Sequence, residues 1–202
     1  LARAANMDLA ESAQIAADNI ATFNLQASDT THIADMLAYA QAHSNTTASQ
    51  LGQAYKNSAA NMNAAGQTIE TTTAILEALA NNGLRSAESG TALAAVMRDM
   101  TSKMEDGAIA IGDTSVKVMD SRGNFRDMLD ILKDVEKATN GMGDAQKQAA
   151  LLSTFTSDSI KALNMMLNTG ADEIAGYREE LENCAGAAEE MGDTMDDNLE
   201  GA

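Results

Sequence analysis

Apolar positions recur with a helical period along most of this chain. Leu9, Ala13, Ala16, Ile20 and Phe23 fall on one face, and Ile33, Met36, Leu37 and Ala40 form the next stripe, after Ser28 and Asp29 as expected N-caps. Leu51, Ala54, Tyr55, Ser58 and Met62 make a third stripe that closes at Gly66. Ile69, Leu76 and Leu79 make a fourth, ended by "NNG" with Gly83 where a left-handed cap residue belongs. Ser86 opens a fifth helix through Leu93, Val96, Met97, Met100 and Met104. A weak internal repeat sets Asp8 on Thr68, Ile15 on Ile75 and Leu25 on Leu84, as a duplicated helix–turn–helix would.

The period breaks once, in "SVKVMDSRGNFRDM". Val116, Val118 and Met119 read as an extended arm, "DSRG" as a turn, and Asn124 to Arg126 as the return. Helical spacing resumes at about Asp127 with Met128, Leu132, Val135 and Met142. Asp144 is expected to cap a short helix ending near Phe155, and Asp158 to open another that stops at Gly170. Ile174, Tyr177, Leu181 and Cys184 stripe the next helix. The pattern predicts an all-α fold, an array of short helical hairpins with one small β-hairpin near the middle. Its expected parts are a helical array over 1–105, a junction and hairpin over 106–126, a second helical bundle over 127–185, and the start of an acidic helix over 186–202.

Composition sharpens this picture. Proline is absent and aromatics are only 3%, so helices run unbroken and approach closely, with Gly and Asn as punctuation. Net charge is -17, and from Asp172 to Glu200 eleven acidic residues face Arg178 alone. Such a chain repels phosphate backbones, which argues against direct nucleic-acid binding. Cys184 is the single cysteine, so no internal disulfide and no zinc pattern exist, and a small core side chain is expected there. No apolar run approaches the roughly 20 residues that span a bilayer, and no signal peptide is visible. Starting at Leu1 and stopping at "NLEGA", the chain reads as a fragment of something longer.

Chemistry is sparse. His32, Asp35, Tyr39 and His43 share one helix face, but the two histidines stand about 16 Å apart along the axis at 1.5 Å per residue, too far to ligate one ion. A calcium loop starting at Asp120 would place Arg122, Phe125 and Ile131 where an acid, a glycine and a glutamate are needed. "GLRSAESG" lacks the lysine and spacing of a phosphate loop. Neither histidine has an activating context for nucleophilic catalysis. No catalytic, cofactor-binding or metal residue is expected.

The order of motifs carries more than any one of them. "GLRSAESGTAL" (Gly83 to Leu93), "DSRGNFRD" (Asp120 to Asp127), "LNTGADEI" (Leu167 to Ile174) and "GAAEEMGDTMDDNLEG" (Gly186 to Gly201) follow one another as in the core region of bacteriophage tail tape measure proteins, which this chain resembles over nearly its whole length. Ser121 and Arg122 in the turn, and "STFTSDSIKAL", depart from that pattern. The resemblance implies a non-enzymatic structural protein of a phage or prophage tail, setting tail length during assembly and assisting genome passage. It implies the tail tube protein, tail assembly chaperones and tail tip proteins as partners, with self-association, in the virion and earlier in the host cytoplasm. A helical adaptor or binding module of a bacterial injection or secretion machine is the other function class compatible with these elements. A cell-wall hydrolase would need a catalytic glutamate in a pocket or a Cys/His pair. The glycine breaks at 66, 83, 123, 143 and 170 make this stretch a compact module, with the ruler proper expected outside it.

Overall fold

A computed structural model describes residues 1–200, with side chains through 197. The helices are α1 (Leu9–Thr22), α2 (Thr30–His43), α3 (Ala48–Ala64), α4 (Ile69–Asn81), α5 (Ser86–Lys103), α6 (Met128–Thr139), α7 (Asp144–Leu151), α8 (Ser157–Thr169), α9 (Ala171–Glu182) and α10 (Ala187–Glu200). Between α5 and α6 lie β1 (Ala108–Ile111) and β2 (Thr114–Lys117), an antiparallel pair. The fold is all-α with one small β-hairpin near the middle, as the periodicity predicts.

α4 is the axis of the molecule. Its fourth stripe predicted one buried face, yet every residue from Thr71 to Ala80 is buried, because α2, α3, α5, α8 and α9 all pack on it. Its buried threonines are accommodated by local bonds. The Thr72 and Thr73 hydroxyls donate to the carbonyls of Thr68 and Ile69 at 2.8 and 2.7 Å, and the Tyr55 and Thr73 hydroxyls meet at 2.6 Å. Beside α4, α3 and α5 press together at a glycine. A Cβ on Gly90 would stand 2.0 Å from the Ala54 carbonyl oxygen, so only glycine permits this approach.

The first stripe faces inward only in part: Ala16 and Phe23 are buried and Ile20 is half-buried, as expected. Leu9 is 74% exposed and Ala13 is exposed, whereas Ser12, Ile15, Ala16 and Asn19 face inward. Ile15 fills the space above Gly52 of α3, and the Asn19 amide donates to the Ile15 carbonyl at 2.9 Å, which settles the polar member of the face. The expected caps Ser28 and Asp29 make no side-chain cap for α2. Asp29 instead closes the preceding 3-10 turn, accepting from the Gln26 N–H at 2.8 Å.

The hairpin is displaced from the expected Val116 to Arg126. Its true turn is Gly112–Asp113, with Ile109 opposite Val116 and Ile111 opposite Thr114. β1 lies in the segment read as a junction, where Ile109 and Ile111 alternate with alanines. The expected turn exists too, as a single bridge between Met119 and Phe125. Asp120 shapes it, accepting from the Arg122 and Asn124 N–H groups at 2.8 and 2.9 Å. Ile109, Ile111, Val116 and Val118 are buried and join the main core.

Four helices of the second half are capped by side chains from earlier in the chain. Gln67 Oε1 accepts from the Met128 N–H that opens α6 at 2.7 Å. Asp99 of α5 accepts from the Thr156 N–H and hydroxyl and from the Ser159 hydroxyl at 2.8, 2.6 and 2.5 Å, all before or within the first turn of α8. Glu136 of α6 accepts from the Ala171 N–H of α9 at 2.6 Å. Asp35 of α2 accepts from the Gly186 and Ala188 N–H groups at 2.9 and 3.0 Å, at the start of α10. Helix N-termini leave N–H groups unpaired, and carboxylates are favoured there by the helix dipole. These contacts fix where those four helices begin.

Candidate functional site

Polar chemistry concentrates in three places. The first is a bowl of about 1050 Å³ outside the hairpin, lined by Lys103, Glu105, Asp106, Lys117, Asp120 and Ser153 among others. Ser153 is committed to structure, since its hydroxyl donates to the Ala110 carbonyl at 2.9 Å and so pins β1 to the end of α7. Backbone N–H donors from Asn124, then its side chain, hold the Asp120 carboxyl below the usual carboxylate range. That is the signature of a turn. Four acids (Glu105, Asp106, Asp113 and Asp120) and two lysines (Lys103 and Lys117) line this rim.

The second is the α2 face carrying His32, Asp35, Tyr39 and His43. Of these four, the structure brings together Tyr39 and His43 alone. His32 Nε2 meets Glu70 Oε1 at 2.9 Å, and Asp35 caps α10. The Tyr39 and His43 rings stack with centroids 3.9 Å apart. Among the described residues, no group of three or more His, Cys, Asp or Glu side chains is placed to hold a metal ion. Nor is any described helix long and apolar enough to cross a membrane.

The third is Glu77 at the centre of α4. It is 4% exposed, and its Oε1 has no hydrogen-bond partner. Burial, aided by the Glu180 charge, pushes its carboxyl up to about 8. Tyr177 is pushed up to about 12 by burial and by its bond to Glu173, and the Cys184 thiol to about 11 by burial and the Asp35 charge. Cys184 is buried as expected, but it lies beyond the end of α9, its Sγ donating to the Leu181 carbonyl. Such a thiol is a weak nucleophile. Sequence spacing alone missed Glu77, because an acid on a helix with a supposed polar face looks solvated; the apolar neighbours on all sides of α4 were the available signal.

The pattern of the family described as phage-related minor tail protein matches residues 1–156. The chain belongs to that family. Among curated members of the tail protein class, it is 26% identical over 199 residues to the "Tape measure protein" of Pneumococcus phage Dp-1, covering 98% of this chain and 17% of that protein. It is also 26% identical over 183 residues to the "Probable tape measure protein" of Escherichia phage P2, covering 89% of this chain and 22% of that protein. The chain thus spans about a fifth of the length of the curated relatives it matches. No solved structure matches it.

Proposed function

We propose that this chain is a segment of a tape measure protein that takes part in tail assembly and tail length determination and assists genome passage. The likeness to the Dp-1 protein across 98% of the chain carries this reading. Its role is structural rather than catalytic. The candidate groups for chemistry support that: Asp35 and Asp99 are occupied as caps, His32 by Glu70, and Ser153 by the hairpin. The partners are the tail tube protein, tail assembly chaperones and tail tip proteins, met in the host cytoplasm during assembly and retained in the virion tail. Within the whole protein this segment is a folded module, and the ruler lies outside it. Helices of 8 to 18 residues, folded back on a shared core, favour this division.

The test is co-purification. An affinity tag on the full-length protein in phage-producing cells should recover tube subunits and chaperones, and purified virions should contain the tagged protein. Recovery of secretion-machine components instead, with no tagged protein in virions, would overturn the reading.

A further inference from the structure

The corner between α9 and α10 sits over a group of acidic side chains with little cationic compensation. Glu77 rises from α4 into this layer with its unpartnered oxygen. α9 supplies Glu180 and Tyr177, α2 supplies Tyr39, and the corner supplies Cys184; the Glu180 charge bears on Glu77 and Tyr39, and the Glu77 charge on Tyr39, Tyr177 and Cys184. Asp35 and Glu70 flank the same corner. The basic groups nearby are taken: His32 by Glu70 at 2.9 Å, and Arg178 by Asp127 at 2.6 Å. From the other helices packed on α4, Tyr55 of α3 is bonded to Thr73, Asp99 of α5 caps α8, and Lys161 of α8 pairs with Glu88. None of these basic groups is bonded to Glu77.

We propose that Glu77 is a proton-dependent latch: the α9–α10 corner stays seated on α4 and α2 while this carboxyl is protonated, and is released as the carboxyl ionises. A neutral carboxyl is tolerated in a dry interface, whereas an ionised one there faces a second acid and no counter-ion. α9 is the layer that moves, because Glu180 travels with it and its outer side is solvated. Lifting it hydrates the Glu77 carboxylate, whereas Glu180 is exposed already.

The direction follows from proton linkage. In the seated form Glu77 titrates at about 8, and in the lifted form it returns to the ordinary glutamate range. Seating is therefore complete below that ordinary range and weakens as pH rises through it. The lifting equilibrium grows about tenfold per pH unit until the seated carboxyl itself ionises, and flattens above.

Hydrogen exchange on the intact chain between pH 5.5 and 9 tests this, with α5 amides as the internal reference for intrinsic exchange. Amides of α9 should lose protection relative to α5 by about tenfold per pH unit up to about pH 8. The Glu77→Gln variant should hold that ratio flat. A flat ratio in the unaltered chain, an unchanged slope in the variant, or α5 and α8 loosening in step with α9 would overturn the proposal. Should the variant fail to fold, a carboxyl carbon titration of Glu77 in the unaltered chain decides. A midpoint in the ordinary glutamate range overturns the latch, and one well above it supports the latch.

Discussion

Asp99 shows how one side chain can hold two parts of this molecule together. It is 3% exposed, and three donors from the start of α8 converge on its Oδ2. Burial alone would raise its carboxyl, but hydrogen bonds from Ser159 and Thr156 outweigh it and hold the group below the usual aspartate range. Its stabilisation is therefore present above the ordinary aspartate pKa and lost as pH falls through the lowered one. Asp99→Ala should cost about 2–4 kcal/mol by denaturant unfolding, since it strands buried donors. Asp99→Asn should flatten the acid limb of the stability profile below about pH 4. Gly90 is the steric counterpart. Gly90→Ala should cost about 3 kcal/mol or more, because its Cβ would meet the backbone of Ala54 rather than a movable side chain. At this scale the sequence was least legible. Asp35, Asp99 and Glu136 resemble any solvated helical acid until a partner 35 or more residues away is brought to them.

At the level of elements, helical periodicity and the glycines that end several helices mark the helices well in this proline-free chain. Gly66 and Gly83, with φ of 69° and 89°, follow α3 and α4 as their spacing suggests. The sequence pattern places the hairpin one arm late. "AIAI" reads equally as helix or strand, and only its pairing with Thr114–Lys117 decides. The last helix shows the same limit. Met191, Met195 and Leu199 recur every four residues in a stripe too narrow to stand alone, so a partner surface is needed for it; the Leu199 side chain lies outside those described. That surface is α2, reinforced by Arg3, whose guanidinium reaches Asp193 at 2.8 Å and Asp196 at 3.0 Å. These two pairs are exposed and weak; the Asp35 cap and the half-buried methionines carry the docking. Truncation after Cys184 should therefore lower the thermal midpoint by about 5 °C or more, from a loss of roughly 2 kcal/mol. An unchanged midpoint would mean that α10 is not held by this face.

For the whole molecule, the question is whether it lies along a tail as an extended rod or stays folded. A single helix of 202 residues would measure about 300 Å at 1.5 Å per residue. Folded, a chain of this length is about 45 Å across. The continuous core from Ile15 to Cys184 and the caps that link helices far apart in sequence both favour the folded form. Acid repulsion over Asp172 to Glu200 opposes it only locally, where Arg178 and the N–H groups at the start of α10 offset part of the charge. Electron microscopy of tails from phage in which this segment is duplicated in tandem within the full-length gene tests this most directly. We predict tails of parental length to within about 45 Å, as expected of a folded module beside the ruler. Tails longer by about 300 Å would contradict the account and make this segment part of the ruler itself.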